Sequence, residues 1–308
     1  MSNNIALSEV FQTELDRQMV EGLTSGWMEL GSDPVIYNGG NTIRIPKIIL
    51  QGLGNYDRVN GFVNGDVTLS WEEHTFSMDR GRSFSVDSMD ADEANFAISA
   101  GVVLGEFQSK QVIPEIDSYR YSRIASKAIT SGLAEGGYTP DVETILRKLQ
   151  GHIAAIQDII GEQEPLVITI PISVAHILDQ ANGIDKVIDI MEFRKGEVFI
   201  KVKAINGIPL IRVPSARMKT AYTFFDGTTA GQEAGGFAVD VSAKDINWLI
   251  TSPKSVIGIT KNEKPRIFEP TRNQKADAWK IDYRRYHELF IPDNKLDGIF
   301  ACIKQAIL

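Results

Sequence analysis

From residue 42 to residue 87 the chain alternates apolar and polar side chains with a period of two, the pattern of strands with one buried face. Ile43 and Ile45 alternate with Thr42 and Arg44, and residues 48–50 continue the rising strand. Residues 52–66 break the pattern with Gly52, Gly54, Asn55, Asn60, Gly61, Asn64 and Gly65, which allow tight reversals. Val67, Leu69 and Trp71 return on one parity, whereas Phe76, Met78, Phe84 and Val86 take the other. This switch predicts a bulge or bend near Glu72 and Glu73. Arg80 and Arg82 share the parity of Phe76 and Phe84. The pattern therefore predicts a long two-stranded ribbon. A lone hairpin is marginal in water, and too little sequence surrounds this one to cover it. A second copy of the chain is the expected partner.

At Asp90 the period becomes helical. Asp90 suits an N-cap and Glu93 sits at the capping-box spacing. Ala94, Ile98 and Val102 form an apolar stripe, with Ala97, Gly101 and Gly105 as a small-residue stripe beside it. This spine helix runs to about Gln111. Pro114 either breaks it or opens a second helix carrying Ile116, Tyr119, Ile124 and Ala128, which Gly132, Gly136 and Gly137 end. Upstream, residues 2–30 read as an amphipathic helix with Leu7, Val10, Phe11, Leu15, Met19 and Leu23 at helical spacing. It reads equally as an arm or as a helix packed on its own domain, joined by a turn-rich linker over 32–40.

Downstream, Thr139-Pro140 predicts a helix start, with an apolar face from Val142 to Ile160 and Gly161 as its stop. A buried strand over 166–170 and a short helix opened by Pro171 follow. Strands over 198–205 and 208–213 are joined by Asn206-Gly207, a strong hairpin signal. These elements predict a compact α/β unit over about 139–240. A Gly-rich loop spans 220–236, and strands are expected at 246–250, 255–260, 266–269 and 279–290.

Totals change this picture little. The chain has 308 residues, 43% hydrophobic and 23% charged, as in an ordinary globular protein. A net charge of −8 argues against wrapping nucleic acid by charge. The single cysteine, Cys302, excludes an internal disulfide and reads as a small buried hydrophobe. No signal sequence or membrane-length apolar run is present.

Candidate chemistry is sparse. Gly52-Leu53-Gly54 lacks a following helix, and Asp226-Gly227-Thr228-Thr229 lacks a P-loop lysine. His74, His152, His176 and His287 show no metal-ligand spacing. No nucleophile elbow occurs. Basic residues cluster after Lys254, and ion pairing or a solvated edge is preferred there over a nucleic-acid face. No catalytic, cofactor or metal site is assigned.

In order, then, come an N-terminal arm, an extended hairpin, a spine helix, an α/β unit with a Gly-rich tip and a return into long strands. In this the chain resembles the tailed-phage major capsid proteins of the Hong Kong 97-type fold. Asp79-Arg80-Gly81-Arg82-Ser83-Phe84, Pro114-Glu115-Ile116-Asp117 and Tyr286-His287-Glu288-Leu289-Phe290 are similar to segments of that family. The resemblance implies an α+β class with an N-terminal arm (1–41), an extended loop (42–89) and a peripheral domain with the spine helix (90–138). An axial domain (139–240) and peripheral return strands (241–308) would follow. It implies no enzyme but a shell subunit in hexamers and pentamers, enclosing double-stranded DNA without sequence-specific binding. A separate scaffolding protein and a portal are the expected partners, with no membrane. The location would be the virion capsid, assembled in the host bacterial cytoplasm. Trp71, Phe76, Arg80, Arg82 and Phe84 are the expected inter-subunit contacts. Some members crosslink through a loop lysine, but none lies between Gln51 and Asp90 here; Lys47 is a weak substitute. Alternatives are an encapsulin-like compartment and, lower, an oligomeric α/β enzyme.

Overall fold

The computed structural model describes residues 19, 22–31, 36–37, 41–59, 61–89, 96–195, 198–263 and 265–307. Its first large feature is the hairpin. After a short β1 (Ile36–Tyr37), β2 (Thr42–Leu50) pairs with β3 (Val67–Thr75) in unbroken register from Thr42↔Thr75 to Leu50↔Val67. The ribbon ends there, which corrects its expected run to Asp87. Phe76 and Met78 are buried, and the Ser77 N–H and hydroxyl donate to Glu288 at 2.8 and 2.5 Å. The chain is thereby turned into a different sheet. The bulge predicted near Glu72 and Glu73 is absent: register is kept there, and the less exposed positions stay on one parity from Ser70 to Met78. Val67, Leu69 and Trp71 are therefore exposed, and only the pairing partner changes, at Phe76-Ser77.

In that second sheet β4 (Met78–Asp87) pairs along one edge of β15 (Ala278–Phe290). β13 (Ile257–Glu263) and β14 (Arg266–Phe268) follow one another along the opposite edge. Leu104, Ile281 and Tyr283 form a core under the spine, with Phe84 and Phe107 packed on it.

The spine is α1 (Phe96–Phe107), a π-helical turn (Gln108–Val112) and α2 (Ile113–Thr130). Pro114 falls just after the π turn, where its missing N–H is tolerated. The expected cap at Asp90 and Glu93, and Ala94 of the stripe, lie outside the described residues. Val102 is 60% exposed, which corrects its place in the expected apolar stripe. The side-chain positions of Ala97, Ile98 and Gly101 lie outside the described ones; among those described, Leu104, Gln108 and Gly105 of the small-residue stripe are buried. α2 buries Ile116, Tyr119, Ile124 and Ala128 as expected, and Gly132 ends it at φ 71°. Met19 and Leu23 pack against Ile113 and Ile116, so this part of the N-terminal segment lies on its own chain. The predicted helix over 2–18 lies outside the described residues.

A seven-stranded sheet forms the other unit, in the order β5 (Ala134–Glu135), β16 (Ile299–Ile303), β12 (Ile246–Thr251), β6 (Val167–Pro171), β9 (Ile208–Val213), β8 (Val198–Ile205), β7 (Ile188–Lys195). Helices α3 (Ile145–Ile160) and α4 (Ile172–Asp179) share a core with Ile168, Ile170, Leu210 and Trp248. α3 begins later than expected, because Asp141 closes a turn first, accepting from Glu143 N at 2.9 Å. Asn206 and Gly207 take φ 51° and 77° at the predicted hairpin. β10 (Tyr222–Phe224) and β11 (Phe237–Val239) flank the Gly-rich loop. The assignment of all of 241–308 to return strands needs correction. β12 and β16 are near-continuous buried runs, the signature of central strands, and belong to the seven-stranded sheet.

Candidate functional site

The hairpin is anchored at its root, and beyond it no described residue of the chain outside the hairpin covers its apolar side chains. Ile43, Ile45 and Phe76 are buried with Ile257 and Phe290. Past Ile45 the ribbon presents Ile48, Ile49, Leu50, Val67, Leu69 and Trp71, and its tip presents Leu53, Tyr56, Val59, Phe62 and Val63, all at least 44% exposed. The tip is nonetheless ordered by its own contacts. Asp57 and Gly61 bridge, Gly61 takes φ 81°, and the Tyr56 and Phe62 rings lie 4.9 Å apart. The Asp57 carboxylate accepts from Val59 N at 2.7 Å. A solvated turn does not need such residues, and contiguous exposed apolar surface of this extent marks an interaction site.

The five expected contact residues do not share one surface. Trp71 lies on the ribbon, 44% exposed. Phe76 is buried beside Tyr286 and Phe290, at 5.1 and 5.4 Å between ring centres. Arg80 pairs with Glu115 at 2.5 Å and donates to the Phe225 and Gly236 carbonyls at 2.8 and 3.0 Å. Arg82 donates to the Glu233 carbonyl at 3.2 Å. Phe84 is half-buried, edge-on to Phe107 at 5.0 Å. The tip residues Leu53, Tyr56, Val59, Phe62 and Val63 were passed over in the sequence. Their signal was present: large apolar side chains set among Gly and Asn.

A buried polar network braces the body behind the hairpin. Asp117 on α2 is fully buried and accepts from the N–H groups and hydroxyls of Thr24 and Ser25 at 2.6–3.1 Å, and from Arg217 at 3.0 Å. Burial opposes charge on Glu29, yet Arg120 and Arg285 hold its carboxyl below the usual range. Tyr119 donates to Glu288, and burial followed by that carboxylate raises its phenol.

His287 on β15 is 2% exposed and its Nδ1 has no partner among the described residues. Burial, then Arg285, Arg120 and Arg80, hold its proton affinity well below the ordinary histidine value. The unfolded chain therefore takes up a proton near pH 6.5 that the folded chain refuses, at a cost of up to about 1.4 kcal/mol per pH unit. Stability should be full above about pH 6.5 and fall as the pH drops. The variant His287→Gln should lose this part of the slope in denaturation midpoints measured from neutral pH downward. Equal slopes would show that the site does not titrate this way.

His152 and the thiol are held within the α/β core. Trp248 donates to His152 Nδ1 at 3.2 Å, which leaves Nε2–H to donate to Glu135 at 2.8 Å. Cys302 is buried, which pushes its thiol up to about 12. Among the described residues no group of three His, Cys, Asp or Glu side chains could hold a metal. No helix among them is long and apolar enough to cross a membrane. Asp226 accepts from the N–H groups of Thr228 and Thr229, a self-capped turn rather than a phosphate cradle. Among the basic residues after 253, Lys254, Lys280, Arg284 and Arg285 pair with Glu164, Asp282, Asp79 and Glu29 of the same chain.

Comparison with protein-family models and with curated proteins found no match to the sequence. Solved structures do match. The capsid structure of cyanophage P-SCSP1u is similar with a TM-score of 0.55 at 13% identity, covering 87% of this chain and 84% of that one. Gordonia phage Cozz gives 0.54 at 15% identity, over 89% and 84%. A virus-like particle from Pyrococcus furiosus gives 0.51 at 10% identity, over 98% and 100%. At such identities the likeness is one of fold.

Proposed function

We propose that this chain, which has the α+β Hong Kong 97-type fold of tailed-phage major capsid proteins, is the subunit of an icosahedral shell around a double-stranded DNA genome. One observation carries the reading: eleven large apolar side chains stand exposed on a hairpin that the described residues of its own chain cover only at the root. They exceed what a monomer ordinarily shows and suffice for a standard interface of about 800 Å2 per partner. Two nine-residue strands hold the tip about 30 Å from its root, far enough to lie across a neighbour. Closed symmetry then repeats this contact around hexamers and pentamers.

In this reading the seven-stranded unit is the axial domain and the β4–β15 sheet with the spine is the peripheral one. A net charge of −8 keeps enclosed DNA mobile instead of bound in sequence. A separate scaffolding protein and a portal complete the particle, which forms in the bacterial cytoplasm and becomes the virion capsid. The role is structural rather than enzymatic. Electron microscopy of the protein, purified alone and from cells that also make its scaffolding partner, should show uniform closed shells in at least the second; small oligomers in both would refute the proposal. A shell that holds protein cargo is the second reading, kept by the likeness to the Pyrococcus furiosus particle along 98% of this chain. Native particles with protein and no DNA would favour it.

A further inference from the structure

Between β4, the π turn and the Gly-rich loop lies a cavity of about 800 Å3. Phe84, Phe107 and Tyr283 line it as a run of edge-to-face rings, with centres 5.0 and 5.6 Å apart. Arg80, Arg82 and Gln111 also line it. The Gly-rich loop is shaped to the second arginine. A Cβ on Gly227 or on Gly235, both at positive φ, would stand 3.3 Å from Arg82 Nη1. Arg80 has its counter-charge in Glu115. Arg82 donates only to the neutral Glu233 carbonyl, and among the described residues it has no ion pair. The cavity therefore offers an aromatic lining and a guanidinium with donors to spare. None of the described tip residues of the same chain lines it.

We infer that this cavity receives the hairpin tip of a second copy, with Tyr56 and Phe62 on the aromatic lining and Asp57 facing Arg82. The inference rests on the shell reading and names the surface where the hairpin lands. The two partners are complementary. The tip carries two exposed rings and the carboxylates of Asp57 and Asp66, against Arg58 alone of opposite sign. The cavity has rings and three lining carboxylates already engaged, Glu115 by Arg80, Asp79 by Arg284 and Asp226 by its own turn, whereas Arg82 has no carboxylate partner among the described residues. Its volume lies in the range of sites that enclose a compact group. A guanidinium facing a carboxylate adds direction to the apolar contact.

Charge reversal tests this. Arg82→Glu and Asp57→Arg should each cut the yield of closed shells roughly tenfold or more, because like charges then face each other. The two together should restore assembly. Arg82→Gln removes the charge but can still donate to the Glu233 carbonyl, and should give an intermediate yield. Circular dichroism and melting confirm that each subunit is folded. A chain with residues 51–66 replaced by Asn-Gly separates the two levels. If that chain fails to assemble while Arg82→Glu assembles normally, the cavity is not the seat and the shell reading stands. If both assemble, the hairpin does not join subunits. Failure of the double variant to recover, with both singles defective, would overturn the Asp57–Arg82 pairing.

Discussion

A chain in which residues 51–66 are replaced by Asn-Gly will fold, stay dispersed and form no closed shells. Leu50 and Val67 are direct cross-strand partners, so a two-residue turn can join them without disturbing the register. The root keeps its core of Ile43, Ile45, Phe76, Ile257 and Phe290. The removed residues hold mostly one another, through Asp57–Gly61, Tyr56–Phe62 and Gln51–Asp66. Folding stability should therefore change little. Assembly loses Leu53, Tyr56, Val59, Phe62 and Val63 together. Truncating even a few buried aromatic anchors costs an interface several kcal/mol, and a closed shell repeats that loss at every subunit. Light scattering and electron microscopy would show subunits or capsomers only. Normal shells from this chain would remove the hairpin from the assembly mechanism.

The largest effect on folding is expected at Asp117. Its carboxylate is the acceptor for both N–H groups and both hydroxyls of Thr24 and Ser25 and for Arg217. In Asp117→Ala the buried Ser25 N–H and the Arg217 guanidinium lose that partner together. Removing one side of a buried charged network typically costs about 3–5 kcal/mol, a large share of a domain's stability. Asp117→Asn keeps one acceptor oxygen and should lose clearly less. Denaturant unfolding of the three proteins would rank them in that order, and proteolysis within 22–31 should accelerate in the alanine variant. An alanine variant as stable as the parent would show that hydrophobic packing alone anchors the segment.

Local signals were read well from the sequence and long-range ones were not. Asn206-Gly207, Gly161 and Pro171 each set backbone geometry by their own chemistry, and each stands where expected. The ribbon's end could not be read locally. The alternation from Val67 to Asp87 is a property of strands, yet β3 pairs with β2 and β4 with β15, 200 residues away. The placement of β12 and β16 among strands of the α/β unit depends on the same kind of distant pairing. The later start of α3 reflects competition between a Thr-Pro start and the Asp141 turn. Asp117 and Arg120 lie off the stripe of Ile116, Tyr119, Ile124 and Ala128, and nothing in the local sequence marks them as buried. They are buried because the 22–31 segment and the β13–β15 strands cover that side of α2. The candidate surface was half legible. The hairpin, with little sequence around it to cover it, was clear, but a turn rich in Gly and Asn hid the apolar side chains that stand exposed at its tip.

The pairing of β4 with β15 also sets a clock. Ser77, at the root of the hairpin, is held by Glu288, 211 residues later in the chain. A ribosome adding about 5–20 residues per second needs roughly ten to forty seconds to reach that strand after the hairpin has emerged. During that interval the tip is complete but its root has nothing to pair with. If the proposed shell role holds, neighbouring nascent chains on one message would carry tips that are not yet aimed. A subunit would then become competent to join others only near release, and shells would be built from finished chains.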